Sequence, residues 1–164
     1  MPFTEPIPST LDDRGRDVTG AALQATLVDL LDLSLVAKQA HWNLVGRQFR
    51  DIHLHLDELV TTTRTFSDQV AERAAAIGVS PDGRAGTVAA GTGVPSFPEG
   101  WVRDREVVQR VFEAVDAVVR RLRPRMEEVG KADPVTEDLL IQIVGSLEEA
   151  RWMWQAQNAG YQSE

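Results

Sequence analysis

Five residues carry the densest metal-binding chemistry in this sequence: His41, His53, Asp57, Asp68 and Glu72. Two imidazoles and three carboxylates, with no thiolate, form a donor set suited to iron or manganese, and zinc would also bind. His53 and Asp57 stand four residues apart, as do Asp68 and Glu72, so on a helix each pair shares a face. At about 100° per residue, all four fall within an arc of roughly 100° on one helix. Asp57 and Asp68, however, are eleven residues apart, which is roughly 16 Å along a helix axis. Ligand bonds are about 2 Å long, so one ion cannot use both pairs from a single chain. Each chain therefore offers two half-sites. A second copy packed antiparallel brings Asp68 and Glu72 of one chain to His53 and Asp57 of the other, and isologous symmetry then builds two identical sites.

The elements that position these groups are legible as four amphipathic helices. In the first, from about 18 to 45, Leu23, Leu27, Leu30, Leu31, Leu35 and Trp42 recur at steps of three and four. Gly46 reads as its end. The second, from about 49 to 77, carries Ile52, Leu56, Leu59, Thr63, Phe66, Val70, Ala74 and Ile77 on its apolar face, and Gly78 closes it. Residues 79–100 form a long Gly-, Pro- and Ser-rich connection, with a short helix expected near Thr87–Thr92. A third helix covers about 102–129, with Pro124 inside it, expected to kink it or remove a hydrogen bond. The fourth starts at Asp133-Pro134, a cap acid followed by proline at the first helical position, and Gly160 ends it. The fold class is all-α. The short links make antiparallel hairpins, and the long one crosses the bundle end to end, giving a ferritin-like up-down-down-up four-helix bundle. Residues 1–17 read as an extended arm, 18–160 as the bundle and 161–164 as a short tail. The first hairpin places His41 and His53 near one end, so His41 joins that half-site.

A di-iron centre within one bundle calls for Glu-x-x-His on two helices, and the sequence contains no Glu-x-x-His. That favours sites shared between subunits. By geometry alone, a solvated outer face explains the acids of the second helix about as well as metal binding does. His55 reads as a surface residue.

Composition narrows the classes further. There is no cysteine, so disulfides and thiolate-metal sites are excluded. No run of 18 apolar residues occurs and the N-terminus has no signal-like pattern, so no membrane span is expected and the cytoplasm is the default location. The net charge of −8 repels phosphate backbones and suits a protein that gathers cations. The arm has two arginines against four acids, and Gln155–Glu164 has no basic residue. Arg120, Arg121, Arg123 and Arg125 form a local basic cluster that reads as a solvated helix face. Weak or absent DNA binding is expected.

The stretch Lys38-Gln39-Ala40-His41-Trp42-Asn43-Leu44-Val45-Gly46, followed by Phe49, His53 and Asp57, resembles the signature of the Dps family (DNA-binding protein from starved cells). Asp68-Gln69-Val70-Ala71-Glu72-Arg73 resembles its second half-site, and the spacings of 12, 4, 11 and 4 are those of the family's ferroxidase ligands. The resemblance implies a cytoplasmic mini-ferritin, in some relatives nucleoid-associated, assembled as a hollow dodecamer from two-fold dimers. Iron(II) would be oxidised by a ferroxidase reaction, usually with hydrogen peroxide, at intersubunit sites with room for two iron ions. The ferric mineral would be stored inside, which limits oxidative damage to DNA. His41, His53 and Asp57 would ligate from one subunit, Asp68 and Glu72 from its neighbour. Trp42 would be an electron donor beside the metal, or else a core aromatic, and Lys38 would support the site through hydrogen bonds. Asp138, with Asp133 as companion, would line a three-fold iron pore, and Pro134 stands where some relatives carry another acid. Glu58 would face the cavity and nucleate mineral. The competing readings are a nucleoid-compacting structural protein with a weak metal site, and a di-metal oxidoreductase working within one bundle.

Overall fold

The computed structural model describes residues 6–161. Among them are four long helices, one short helix and a minimal parallel sheet. Helix α1 spans Asp13–Asn43, strand β1 Leu44–Val45, helix α2 Phe49–Ala76, helix α3 Ala85–Gly91, strand β2 Val102–Arg103, helix α4 Asp104–Gly130 and helix α5 Pro134–Tyr161. The packing is that of a ferritin-like bundle: α1 lies on α2, α4 on α5, and α1 on α4. Leu44 pairs with Val102 and Val45 with Arg103 in parallel register. That pairing holds the end of α1 and the start of α4 at the same end of the bundle, so α1 and α4 run antiparallel. The connection carrying α3 therefore travels the length of the bundle, and the up-down-down-up order follows.

Helix α1 starts within the stretch read from sequence as an arm. Asp12 caps it, its Oδ1 accepting the Gly15 N–H at 2.7 Å. The first turns carry Asp13, Arg14, Arg16 and Asp17, which have no apolar stripe, so periodicity missed them while local capping chemistry forms the helix. What precedes the cap is docked: Leu11 packs against the core, and the Ile7 carbonyl lies against Gly78. Residues 1–5 of the arm and 162–164 of the tail lie outside the described residues, and Tyr161 belongs to α5.

Two glycines act differently. Gly78, at φ +78°, ends α2. Its N–H bonds the Ala75 carbonyl at 3.0 Å and the Val79 N–H bonds Ala74 at 2.9 Å, which is a Schellman closure. Gly46 does not terminate α1, which stops at Asn43. It sits in the turn after β1 at φ +148°, where a Cβ would lie 2.3 Å from the Asp104 carboxylate. Pro124 lies within α4, which runs through it to Gly130.

The core is built from the expected faces, with Leu23, Leu30, Leu56, Val111, Leu122, Ile143 and Leu147 fully buried. Two residues of the expected α1 stripe fall outside it: Leu35 is 55% exposed and Trp42 64%. A stripe that faces the core early in a long helix rotates away from it later. Helix α1 is apolar enough by length and composition to cross a membrane, yet 67% of its most apolar window is buried in the bundle. That burial explains the composition.

Candidate metal centre

His41 lies in the last turn of α1 and His53 in the second turn of α2. Last-turn carbonyls have no partner within their own helix. Here the His53 Nδ1–H donates to the His41 carbonyl at 3.1 Å, and the His41 Nδ1–H donates to the His53 carbonyl at 3.0 Å. A carbonyl only accepts, so both Nδ1 atoms carry a proton, and in a neutral ring Nε2 is the nitrogen left to bind a metal. The rings stack at 3.6 Å between centroids, with Phe49 beside His53 at 4.9 Å. This crossed pair fixes tautomer and orientation in the way that backbone carbonyls orient metal-bound histidines.

Asp57, one helical turn after His53, completes the group. Ligand atoms of His41, His53 and Asp57 all lie within 4.8 Å of one another. Lys38 Nζ donates to Asp57 Oδ1 at 2.5 Å, and His41 Nδ1 is 3.5 Å from the same oxygen. The Lys38 hydrogen bond chiefly holds the Asp57 carboxyl below its ordinary range; desolvation opposes it, and the electrostatic influence of His41, Lys38 and His53 adds to the lowering. Asp57 is thus ionised and poised as a ligand at neutral pH. The donors fit ferrous iron: imidazole nitrogens and a carboxylate on one side, with open positions left.

Asp68 and Glu72 are exposed on α2 and stand outside that group. Asp68 borders an open groove of about 340 Å³, also lined by Leu27, Leu31, Arg64 and Ala71. Trp42 follows His41 directly and is solvent-facing, which rules out the core-aromatic alternative within the single chain.

The other expected site residues differ in surroundings. Asp138 is exposed and accepts a hydrogen bond from Gln142. Asp133 is 3% exposed, and its carboxylate accepts from Arg73 at 2.7 Å and from the Thr136 hydroxyl. Its carbonyl takes the first helical bond of α5, from Glu137. As a companion to Asp138 in a pore it is therefore misplaced: it caps α5 and ties it to α2. Glu58 is exposed and lines a hollow with His55 and Trp154. His55 stacks flat on Trp154, 4.1 Å between centroids, and burial lowers its pKa despite the nearby Glu58.

The basic cluster on α4 is spent internally. Arg121 and Arg125 reach the fully buried Asp29 at 2.9 and 2.7 Å. Arg120 pairs with Asp116 and Arg123 with Glu148. Sequence reading missed Asp29, and its one signal was an acid within the leucine-rich stretch 27–36.

Comparison with known proteins places this architecture. A ferritin-like domain matches residues 20–160. The DNA protection during starvation protein 2 of Deinococcus radiodurans is 37% identical over 135 residues, covering 82% of this chain and 56% of that protein, so the chain spans little more than half of its length. The DNA protection during starvation protein of Mycolicibacterium smegmatis is 34% identical over 154 residues, covering 92% and 81%. The crystal structure of Dps92 from Deinococcus radiodurans superposes with a TM-score of 0.85 at 35% identity, covering 87% of both chains. The class is thus the ferritin-like proteins, whose general role is iron storage. Within that class, the chain belongs to the Dps family.

Proposed function

We propose that this protein is a ferroxidase and iron store whose catalytic sites form only between two-fold related subunits of a hollow dodecamer. The observation that carries it is the asymmetry on α2. Among the described residues, His41, His53 and Asp57 converge into one group with both histidine rings fixed through Nδ1, whereas Asp68 and Glu72 stand on the surface outside any such group. A rotated copy supplies each with the other.

Iron is the substrate. Each ferrous ion loses one electron, the peroxide O–O bond accepts an electron pair and breaks, and the oxygens leave as water or hydroxide. Imidazoles hold the ferrous ion, carboxylates favour the ferric product, and Trp42 beside His41 donates an electron to stray radicals. Asp138 lines the iron entrance and Glu58 nucleates mineral on the cavity wall. The paired state of the α4 arginines and the net charge of −8 support weak or absent DNA binding, so protection of DNA comes from removing iron and peroxide in the cytoplasm.

The test uses mixed oligomers. His53→Ala and Asp68→Ala should each slow peroxide-driven iron(II) oxidation by about 100-fold or more, because loss of even a supporting group costs about 10- to 100-fold at metal sites. Co-assembled, the two variants regenerate one intact site in every mixed dimer, and activity should return in part. No recovery, with mixed dimers verified by mass, would end the shared-site reading.

A further inference from the structure

Arg64 is the only basic residue between Asp57 and Asp68 on α2. It lies on the ligand-bearing stripe, since His53, Asp57, Thr61, Arg64, Asp68 and Glu72 follow at steps of three and four. Arg64 and Asp68 line the same groove. Arg73, the other arginine in the second half of α2, is bound to Asp133 and Thr136. Arg64 makes no ion pair or side-chain hydrogen bond among the described residues, not even with Asp68 one turn away. An exposed guanidinium kept free beside a half-site is available to another chain.

The two-fold that brings the partner subunit's Asp57 to Asp68 sets where Arg64 falls. Antiparallel α2 helices in that register put Arg64 opposite the partner subunit's Thr61. Arg64 is four residues from Asp68, and the partner subunit's Asp57 is four residues beyond that Thr61. Each carboxylate is therefore about 6 Å away along the axis, within reach of an arginine side chain. We infer that Arg64 is a positioning residue of the shared site: its guanidinium bridges Asp68 of its own chain and the partner subunit's Asp57 when no metal is bound, and competes with the incoming ion for them. Lys38 already holds Asp57 from within its own chain. An empty site of three carboxylates then carries two cations, and the seam between subunits closes without metal. The same charges raise the concentration of free ion needed to load it.

This inference rests on the shared-site reading, and anaerobic titration of the metal-free oligomer with iron(II) alone separates the two. Removing a unit charge near a divalent ion in a partly solvated site should tighten binding about five- to tenfold. Arg64→Gln should show that gain, Arg64→Lys should stay near the parent protein, and the gain should shrink as salt is raised. Arg64→Met serves the same comparison should the Gln variant not assemble. Unchanged or weaker binding in the neutral variants would overturn the role of Arg64. Iron(II) binding that persists in both His53→Ala and Asp68→Ala would instead sink the shared site itself, whatever Arg64 does.

Discussion

Asp29 and Asp57 are two acids held by cations, and they do opposite work. Asp29 is fully buried in α1, with Arg121, Arg125 and the Gly93 N–H on its oxygens. Thr92 bonds the neighbouring Asp32, so the end of α3 is pinned to α1 at the same place. Asp57 keeps 45% of its side chain exposed and has one ammonium plus two histidines whose Nε2 atoms make no hydrogen bond among the described residues. A buried carboxylate with both oxygens occupied locks a fold. One left partly unsaturated beside other donors is a place for an ion.

That contrast breaks first at Asp29. Asp29→Ala leaves two guanidiniums without a counter-charge, and should cost about 3–5 kcal/mol. Urea denaturation at neutral pH measures it, and Asp29→Asn, which keeps an acceptor, should cost less. A loss below about 1 kcal/mol would mean that solvent reaches the pair.

Asp57→Ala should behave inversely. The metal-free variant should unfold at nearly the parent's temperature, as for a surface ion pair. A redox-inert ion such as zinc at about a hundred times its Kd stabilises a native site by about 2.7 kcal/mol, and the variant should lose that gain. Thermal unfolding with and without zinc reads both numbers. Equal zinc stabilisation in parent and variant would place the ion elsewhere.

Asp133 lies between these extremes. Burial pushes its carboxyl up, but the Thr136 hydroxyl and the Arg73 guanidinium outweigh it, and the net shift is downward. A folded value below the unfolded one means stability that is fully present above the unfolded value of about 4. It is lost as pH falls from there through the folded value. Asp133→Asn should cost about 2 kcal/mol at neutral pH and should flatten the fall in urea midpoint between neutral pH and pH about 3. An unchanged slope would show that Asp133 does not report the acid transition.

These residues also show what was readable in advance. His41, His53 and Asp57 could be brought together from spacing because a helix and a tight hairpin translate sequence distance into space with little freedom. The four long helices were readable for the same reason. Asp29 and its arginines are 92 and 96 residues apart, and such contacts follow only from how α1 meets α4. The crossed histidine–carbonyl bonds depend on the register of one hairpin to within a residue. The β1–β2 pairing has two residues per strand, too short for any period. Trp42 and Leu35 satisfied the helical period and still face outward, because periodicity identifies an apolar stripe but not whether this chain or a second copy covers it.

The smallest effect belongs to Arg123, paired with Glu148 and more than half exposed. Arg123→Gln should change stability by no more than about 1 kcal/mol. Its value lies in what else it tests. If the α4 arginines are committed to acids of their own chain, removing this charge leaves DNA retention in a low-salt gel unchanged. Should retention fall instead, with binding that weakens steeply as salt rises, the pair must open on DNA. The cluster would then belong with Asp57 among the groups held in reserve for a ligand, and Asp29 alone would mark the purely structural end of the scale.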